Sequence, residues 1–307
     1  MTPSADGTST TSATSATSAT STTSAPVVAT FGARLAAAVA AHGPLCAGID
    51  PHRELLADWG LADDPAGLER FARTAVAALA GAVAILKPQS AFFERHGSAG
   101  IAVLERVLAD AREAGVLVLL DIKRGDIGST MGGYADAYLA DGGPLAADAV
   151  TLSPYLGFGS LGPALDTAAA TGRGVFVLAR TSNPDGAAVQ LADSAGRSVA
   201  QSMVDSAAAA NAGAAPLGSV GVVVGATHDH GLALSGLNGA VLAPGLGAQG
   251  ATPAELAVRF AGVAGVVLPA VSRSLLAKGP DQGALRSAAR SWQAELIDGI
   301  GQAGATR

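Results

Sequence analysis

The residues best able to do chemistry in this chain sit in Asp121-Ile-Lys-Arg-Gly-Asp126-Ile-Gly-Ser-Thr130, with one further lysine, Lys87, in the apolar run before it. Asp121 and Lys123 are two apart, and in a strand such residues project from the same face. Charges turned into a protein interior are costly unless paired and hydrogen-bonded. Lys87, ending the preceding run, brings a second ammonium toward Asp121, and Asp126 in the following loop supplies a second carboxylate. An alternating Lys-Asp-Lys-Asp array can serve two ends. It can close the top of a fold as a salt-bridge network, or it can hold each lysine protonated and aimed, ready to donate a proton. Charge and spacing leave both open.

The elements that must position these charges are written in the alternation of the chain. Short apolar runs at 45–49, 83–86, 116–122, 149–152, 174–179, 220–225, 240–243 and 263–268 read as parallel strands covered on both faces. Ala-rich helical stretches lie between them, at 65–79, 101–114, 131–139 and 199–210 among others, with Gly81, Gly115 and Gly172 at junctions. Eight alternating pairs predict an α/β fold, a closed (β/α)8 TIM barrel, with an extra N-terminal helix at 31–41 capping the barrel bottom. A doubly wound open sheet is the alternative that periodicity leaves standing. In a barrel the chemistry lies at the carboxyl ends of the strands. The polar residues fall there: Asp50, Lys87, Asp121 with Lys123, Ser153, Thr181-Ser-Asn-Pro184, Pro244-Gly245 and Ser272-Arg273 each follow or end a run.

Two of these strand ends suit an anion. Ala243-Pro-Gly-Leu-Gly-Ala-Gln-Gly250 follows the seventh run, and its glycines allow backbone amides to approach an anion closely. Ser272-Arg273 follows the eighth run and opens a short helix at 274–277, whose first N–H groups are free. The loops after strands seven and eight are where such barrels commonly bind phosphate. An ordinary turn at Gly245 and Gly247, and a solvated Arg273, are the plainer readings of each feature alone.

Composition narrows the partners. Residues 1–26 are almost wholly Ser, Thr and Ala and are expected to be a disordered tail, leaving 27–307 as one catalytic domain. The tail has neither the basic start nor the apolar run of a secretory leader. No block reaches the roughly 20 apolar residues of a membrane span. A net charge of −6 disfavours a nucleic-acid partner held by phosphate neutralisation. The single cysteine, Cys46, can form no internal disulfide, reads as a small buried hydrophobe, and fits a cytoplasmic location. No Gly-x-Gly-x-x-Gly fingerprint opens a helix after the first run, so no cofactor is expected. His228 and His230 are weak evidence for a metal and receive no role.

The ordered set resembles the orotidine 5'-phosphate decarboxylase family. Asp-x-Lys-x-x-Asp at 121–126, with Lys87 on the preceding run, is similar to its catalytic core. Leu86-Lys-Pro-Gln-Ser-Ala-Phe-Phe-Glu94 and Asp121-Ile-Lys-Arg-Gly-Asp-Ile127 resemble its longer bacterial branch, and the likeness runs from about Cys46 to Leu276. The resemblance implies a cofactor-free and metal-free conversion of orotidine monophosphate to uridine monophosphate and CO2 in pyrimidine biosynthesis. It implies that Asp121 lies beside the departing carboxylate, that Lys123 protonates C6, and that Lys87 orients Asp121 and contacts the ribose. It implies a homodimer in which Asp126, with Ile127 and Thr130, reaches the neighbouring subunit's site. It places Asp50 on a ribose hydroxyl, Ser182 on the base, Gln249 and Arg273 on the phosphate, and Pro244 within the substrate-binding set.

Losing CO2 from C6 leaves a carbanion that the ring does not delocalise, so the protein itself must stabilise it electrostatically. Segment 185–190 and the loop after Gln249 are candidate lids. Two competitors remain at this level. One is a magnesium-dependent sugar-phosphate aldolase or decarboxylase of the same superfamily, which would carry an acidic residue where this chain has Lys87. The other is a non-catalytic phosphate-binding barrel, such as a nucleotide sensor, which would need no such array of Lys and Asp.

Overall fold

The computed structural model describes residues 29–305. The Ser/Thr/Ala segment 1–26 lies outside the described residues. The chain closes into one parallel barrel of eight strands: β1 Cys46–Ile49, β2 Ile85–Pro88, β3 Leu117–Arg124, β4 Ala149–Leu152, β5 Gly174–Arg180, β6 Val220–Val224, β7 Gly239–Pro244 and β8 Gly265–Val271. Each strand pairs with its neighbour in sequence, and β1 closes on β8 through Cys46↔Ala270 and Ala47↔Val271. The closed parallel order excludes the open sheet.

The helices of seven residues or more are α1 Phe31–His42, α2 Pro65–Leu79, α3 Gly97–Glu113, α4 Gly128–Tyr138, α5 Gly162–Thr171, α6 Val199–Ala210, α7 Pro253–Arg259 and α8 Gln282–Ala305. Thr30 caps α1, Asp64 caps α2 and Ser198 caps α6 through their side-chain oxygens, while Thr252 and Glu255 form a reciprocal capping box on α7. One expectation needs correcting. The chain does not make eight strand–helix pairs, because residues 225–238, between β6 and β7, hold no helix. Leu232 and Leu234 there are buried with exposed neighbours, and Leu237 is also buried against the outer core. That two-residue alternation covers the barrel with extended chain instead of a helix.

Three apolar layers follow from this topology. Phe31, Leu35, Cys46, Ile85, Leu119 and Phe176 belong to the cluster that fills the barrel from its amino end. Two further clusters lie between strands and helices. The expected cap is present: Phe31 of α1 meets Phe176 of β5 edge to face, with ring centroids 6.0 Å apart. Gly174 permits this, since a Cβ there would lie 2.3 Å from the Phe31 ring. Arg34 pairs with Asp148, which also accepts from the Val118 amide, so α1 is tied to the base of the sheet.

Candidate active site

A cavity of about 660 Å³ opens at the carboxyl end of the barrel. Its lining draws on all eight strands or the residues directly after them. Asp50, Lys87, Asp121, Lys123, Ser182, Pro244, Gln249 and Arg273 all border it, so eight of the expected site residues converge on one space. Asp126, Ile127 and Thr130 do not border it. Asp126 accepts a hydrogen bond from the Ile127 amide at 2.8 Å, and Ile127 and Thr130 are exposed. Within one chain the array is therefore Lys87–Asp121–Lys123, without the second carboxylate that spacing suggested.

Asp121 is the hub. Its Oδ2 lies 3.1 Å from Lys87 Nζ and accepts from Gln89 Nε2 at 2.8 Å. Its Oδ1 accepts from Lys123 Nζ at 2.6 Å and from Thr151 Oγ1 at 2.7 Å. Lys87 also faces Asp50, with Nζ 3.8 Å from Oδ1. That Asp50 oxygen is buried and has no hydrogen-bond partner. Burial pushes the Asp121 carboxyl up, but the Lys87 and Lys123 ammoniums, with the bonds from Lys123 and Thr151, outweigh it and hold the group well below the usual carboxylate range. Burial likewise disfavours a charged Lys87, yet Asp50 and Asp121 prevail and hold it protonated above the ordinary lysine range. Cys46, beneath this cluster, is buried and its thiol is pushed up to about 12, chiefly by desolvation. It is inert packing, as expected.

Asp121 and Lys123 meet, as their spacing predicts, but across an irregular stretch of β3 rather than a regular strand. The β3–β4 ladder pairs Leu120 with Val150 and then Arg124 with Leu152, so residues 121–123 face Thr151 alone. Lys123 has φ +47°, in the left-handed region. The bulge turns its ammonium back onto Asp121 and leaves the side chain partly open to the cavity.

The opposite side of the cavity is built from loops. Ser182 donates to Gln249 Oε1 at 3.4 Å, joining the segment after β5 to the segment after β7. Gly245 and Gly247 have φ +120° and +74°, which the tight turn demands. The Gly247 and Gly250 amides donate within the loop, to the Ala251 and Gly247 carbonyls, so these two glycines serve the turn itself. Arg273 opens the short helix Arg273–Leu276 at the cavity rim. Among the polar lining residues, sequence reasoning gave no role of their own to His52, Gln89, Thr151 and Gln190. Thr151 carried a signal, being the one polar residue in Ala149-Val-Thr-Leu152 and wholly buried. Gln190 carried none. It reaches back over nine residues to accept from the Thr181 amide and donate to Thr181 Oγ1.

Fold and site together define a (β/α)8-barrel enzyme whose cavity carries two ammoniums on one buried carboxylate. Residues 43–288 match the family model described as orotidine 5'-phosphate decarboxylase / HUMPS family. An orotidine 5'-phosphate decarboxylase of Salinispora arenicola is 63% identical over 262 residues, covering 85% of this chain and 94% of the relative. One of Streptomyces coelicolor is 58% identical over 268 residues, covering 87% and 96%. A Streptomyces avermitilis crystal structure, provisionally named as the same enzyme, superposes with a TM-score of 0.85 at 56% identity, covering 89% of this chain and 97% of that one. The Leishmania donovani OMP decarboxylase structure gives a TM-score of 0.70 at 29% identity, covering 88% and 98%. The chain belongs to the orotidine 5'-phosphate decarboxylase / HUMPS family.

Proposed function

We propose that this chain is a carboxy-lyase that converts orotidine monophosphate to uridine monophosphate and CO2, the decarboxylation step of pyrimidine biosynthesis, without metal or organic cofactor. The observation that carries the reading is the Lys87–Asp121–Lys123 array at the cavity wall. The C6–carboxylate bond breaks heterolytically, CO2 departs, and the electron pair stays on C6. Lys123 delivers a proton to that carbon and is reprotonated from solvent. A fixed ammonium aimed where negative charge develops stabilises the transition state without reorganisation. Asp121 lies beside the departing carboxylate, and Lys87 holds Asp121 ionised and in place.

The rest of the cavity suits a nucleoside monophosphate. The unpartnered oxygen of Asp50 suits a ribose hydroxyl. Ser182 serves the base, Gln249 and Arg273 the phosphate, and Pro244 lines the space between. Binding energy from the phosphate end can hold the reacting end in its strained array. Segment 185–190, which holds the helical turn Ala187–Gln190, and the loop after Gln249 are the proposed lids. The subunits work as a homodimer in which Asp126, Ile127 and Thr130 complete the partner's site. A cytoplasmic location goes with the single buried thiol, and no described helix is long and apolar enough to cross a membrane.

The lysine at position 87 separates this reading from the magnesium-dependent one, since a buried ammonium repels a divalent ion where an acidic residue would ligate it. The test is to follow loss of the orotidine chromophore before and after exhaustive chelation. Turnover is expected and is expected to survive the chelator. Turnover abolished by chelation and restored by Mg2+ would sink the metal-free reading, and binding without turnover would favour a nucleotide sensor.

A further inference from the structure

The proton donor sits in backbone that a lysine does not favour, and two sets of side chains outside the expected site hold it there. Three residues of β3, 121–123, face Thr151 alone, which leaves backbone groups of the bulge without ladder partners. Thr151, wholly buried on β4, replaces the lost pairing: its Oγ1 accepts from the Lys123 amide at 3.0 Å and donates to Asp121 Oδ1 at 2.7 Å. The outer side of the bulge is held separately. Arg124 donates from Nη1 to the Ile122 carbonyl at 3.2 Å and from Nη2 to Glu94 Oε1 at 2.6 Å. Glu94 accepts in turn from Ser90 Oγ at 2.5 Å, and the Ser90 amide donates to the Asp121 carbonyl at 3.2 Å. The Tyr134 ring lies under the guanidinium, 6.0 Å from its centre. Gly125 permits the exit, since a Cβ there would lie 2.2 Å from the Ser153 carbonyl oxygen.

We propose that Thr151 and the Glu94–Arg124 pair are positioning residues that hold Lys123 in its left-handed conformation and so aim its ammonium at the reacting carbon. This rests on Lys123 being the proton donor. Thr151 acts through the Lys123 amide and the Asp121 carboxylate together, so its hydroxyl sets the distance between proton donor and carboxylate. Arg124 acts through the carbonyl that the bulge exposes.

Thr151→Val keeps the shape and removes the hydroxyl. It is expected to lower kcat by about 10²-fold, the scale of an ångström-sized misplacement, with KM and uridine monophosphate affinity changed by less than about threefold. Thr151→Ser, which keeps the hydroxyl, is expected to stay within about fivefold of wild type. Arg124→Met and Glu94→Gln are each expected to lower kcat by about tenfold, and the double variant no further than Arg124→Met alone, because both act through one pair. Backbone 13C shifts of Lys123 provide a readout free of turnover. They should report the left-handed conformation in wild type and move toward extended values in Thr151→Val. Wild-type kcat in Thr151→Val, an equal loss in Thr151→Ser, or unchanged Lys123 shifts would each overturn the proposal. A wild-type protein that turns over no orotidine monophosphate would instead overturn the reading of Lys123 as donor, and the shifts alone would then decide whether Thr151 holds the bulge.

Discussion

At the scale of single residues, the site is a problem of buried charge. Asp121 is buried with two ammoniums and two neutral donors around it, so all its acceptor capacity is used and none faces an apolar wall. Its folded pKa is lowered, so its ionisation stabilises the fold above its unfolded value near 4 and stops doing so as pH falls through the folded value. The folded pKa of Lys87 is raised, so its charge stabilises the fold below roughly 10.4 and stops doing so as pH rises through the folded value. Between about pH 5 and 9.5 both contributions are complete. Asp121→Asn leaves Lys87 half-compensated, and it is expected to cost about 3–5 kcal/mol in urea unfolding at pH 7. The gap from wild type should be the same at pH 5 and narrow below pH 4. A gap that stays constant into acid would show that the ionised pair does not stabilise the fold.

At the scale of elements, the two ends of the barrel do different work. The carboxyl end carries the cavity, and α1 plugs the amino end with Phe31 packed on Phe176 and Gly174. Phe31→Ala removes a ring that is wholly buried and leaves a void among Leu35, Cys46 and Phe176. Its expected cost is about 3–5 kcal/mol. Turnover and KM should be unaltered at temperatures where the variant stays folded, because the strands carry the site at their other end. Denaturation midpoints and steady-state kinetics on the same preparation check both halves. A changed KM would show that the plug sets the geometry of the cavity. The extended crossover at 225–238 belongs at this scale as well, since it covers the barrel without a helix and leaves the neighbouring mouth to loops.

At the scale of the whole molecule, the expected contributors Asp126, Ile127 and Thr130 do not border their own chain's cavity. Ile127 is 61% exposed, and Tyr155 on the next strand's loop is 79% exposed. A two-fold dimer that shares its sites would cover such residues. Lys123→Ala and Asp126→Asn are each expected to be nearly inactive as homodimers. Mixed under subunit exchange, they should regain activity, because each heterodimer has one site with both lesions and one with neither. No recovery, once native mass spectrometry has verified heterodimers, would place both residues in one subunit's site. The N-terminal segment gives a second test at this scale. It offers no large apolar residue between Met1 and Val27, so deleting residues 2–25 should leave Tm and turnover unchanged. A loss of several degrees or of most activity would show that the segment docks on the barrel.

What the sequence determined by itself was the strand positions, the α/β class and the identity of the charges. Eight short apolar runs read as covered parallel strands and predicted the barrel, and the closed strand order then excluded the open sheet that periodicity left standing. The rule that chemistry follows strand ends then gathered Asp50, Lys87, Asp121, Lys123, Ser182, Pro244 and Arg273 around one mouth, and the family resemblance added Gln249. These are local signals, and local periodicity is set by which face of an element is buried. Only the tertiary structure decided the bulge at 121–123, because a bulge depends on how two strands register and the partner residue lies 30 positions away in Thr151. It also decided that Asp126 leaves the cavity of its own chain and that Gln190 folds back on Thr181, both outcomes of loop paths that carry no period. The sixth crossover lost its expected helix for the same reason. Leu232, Leu234 and Leu237 can cover a sheet from extended chain, and whether they do so is settled by the surface they meet.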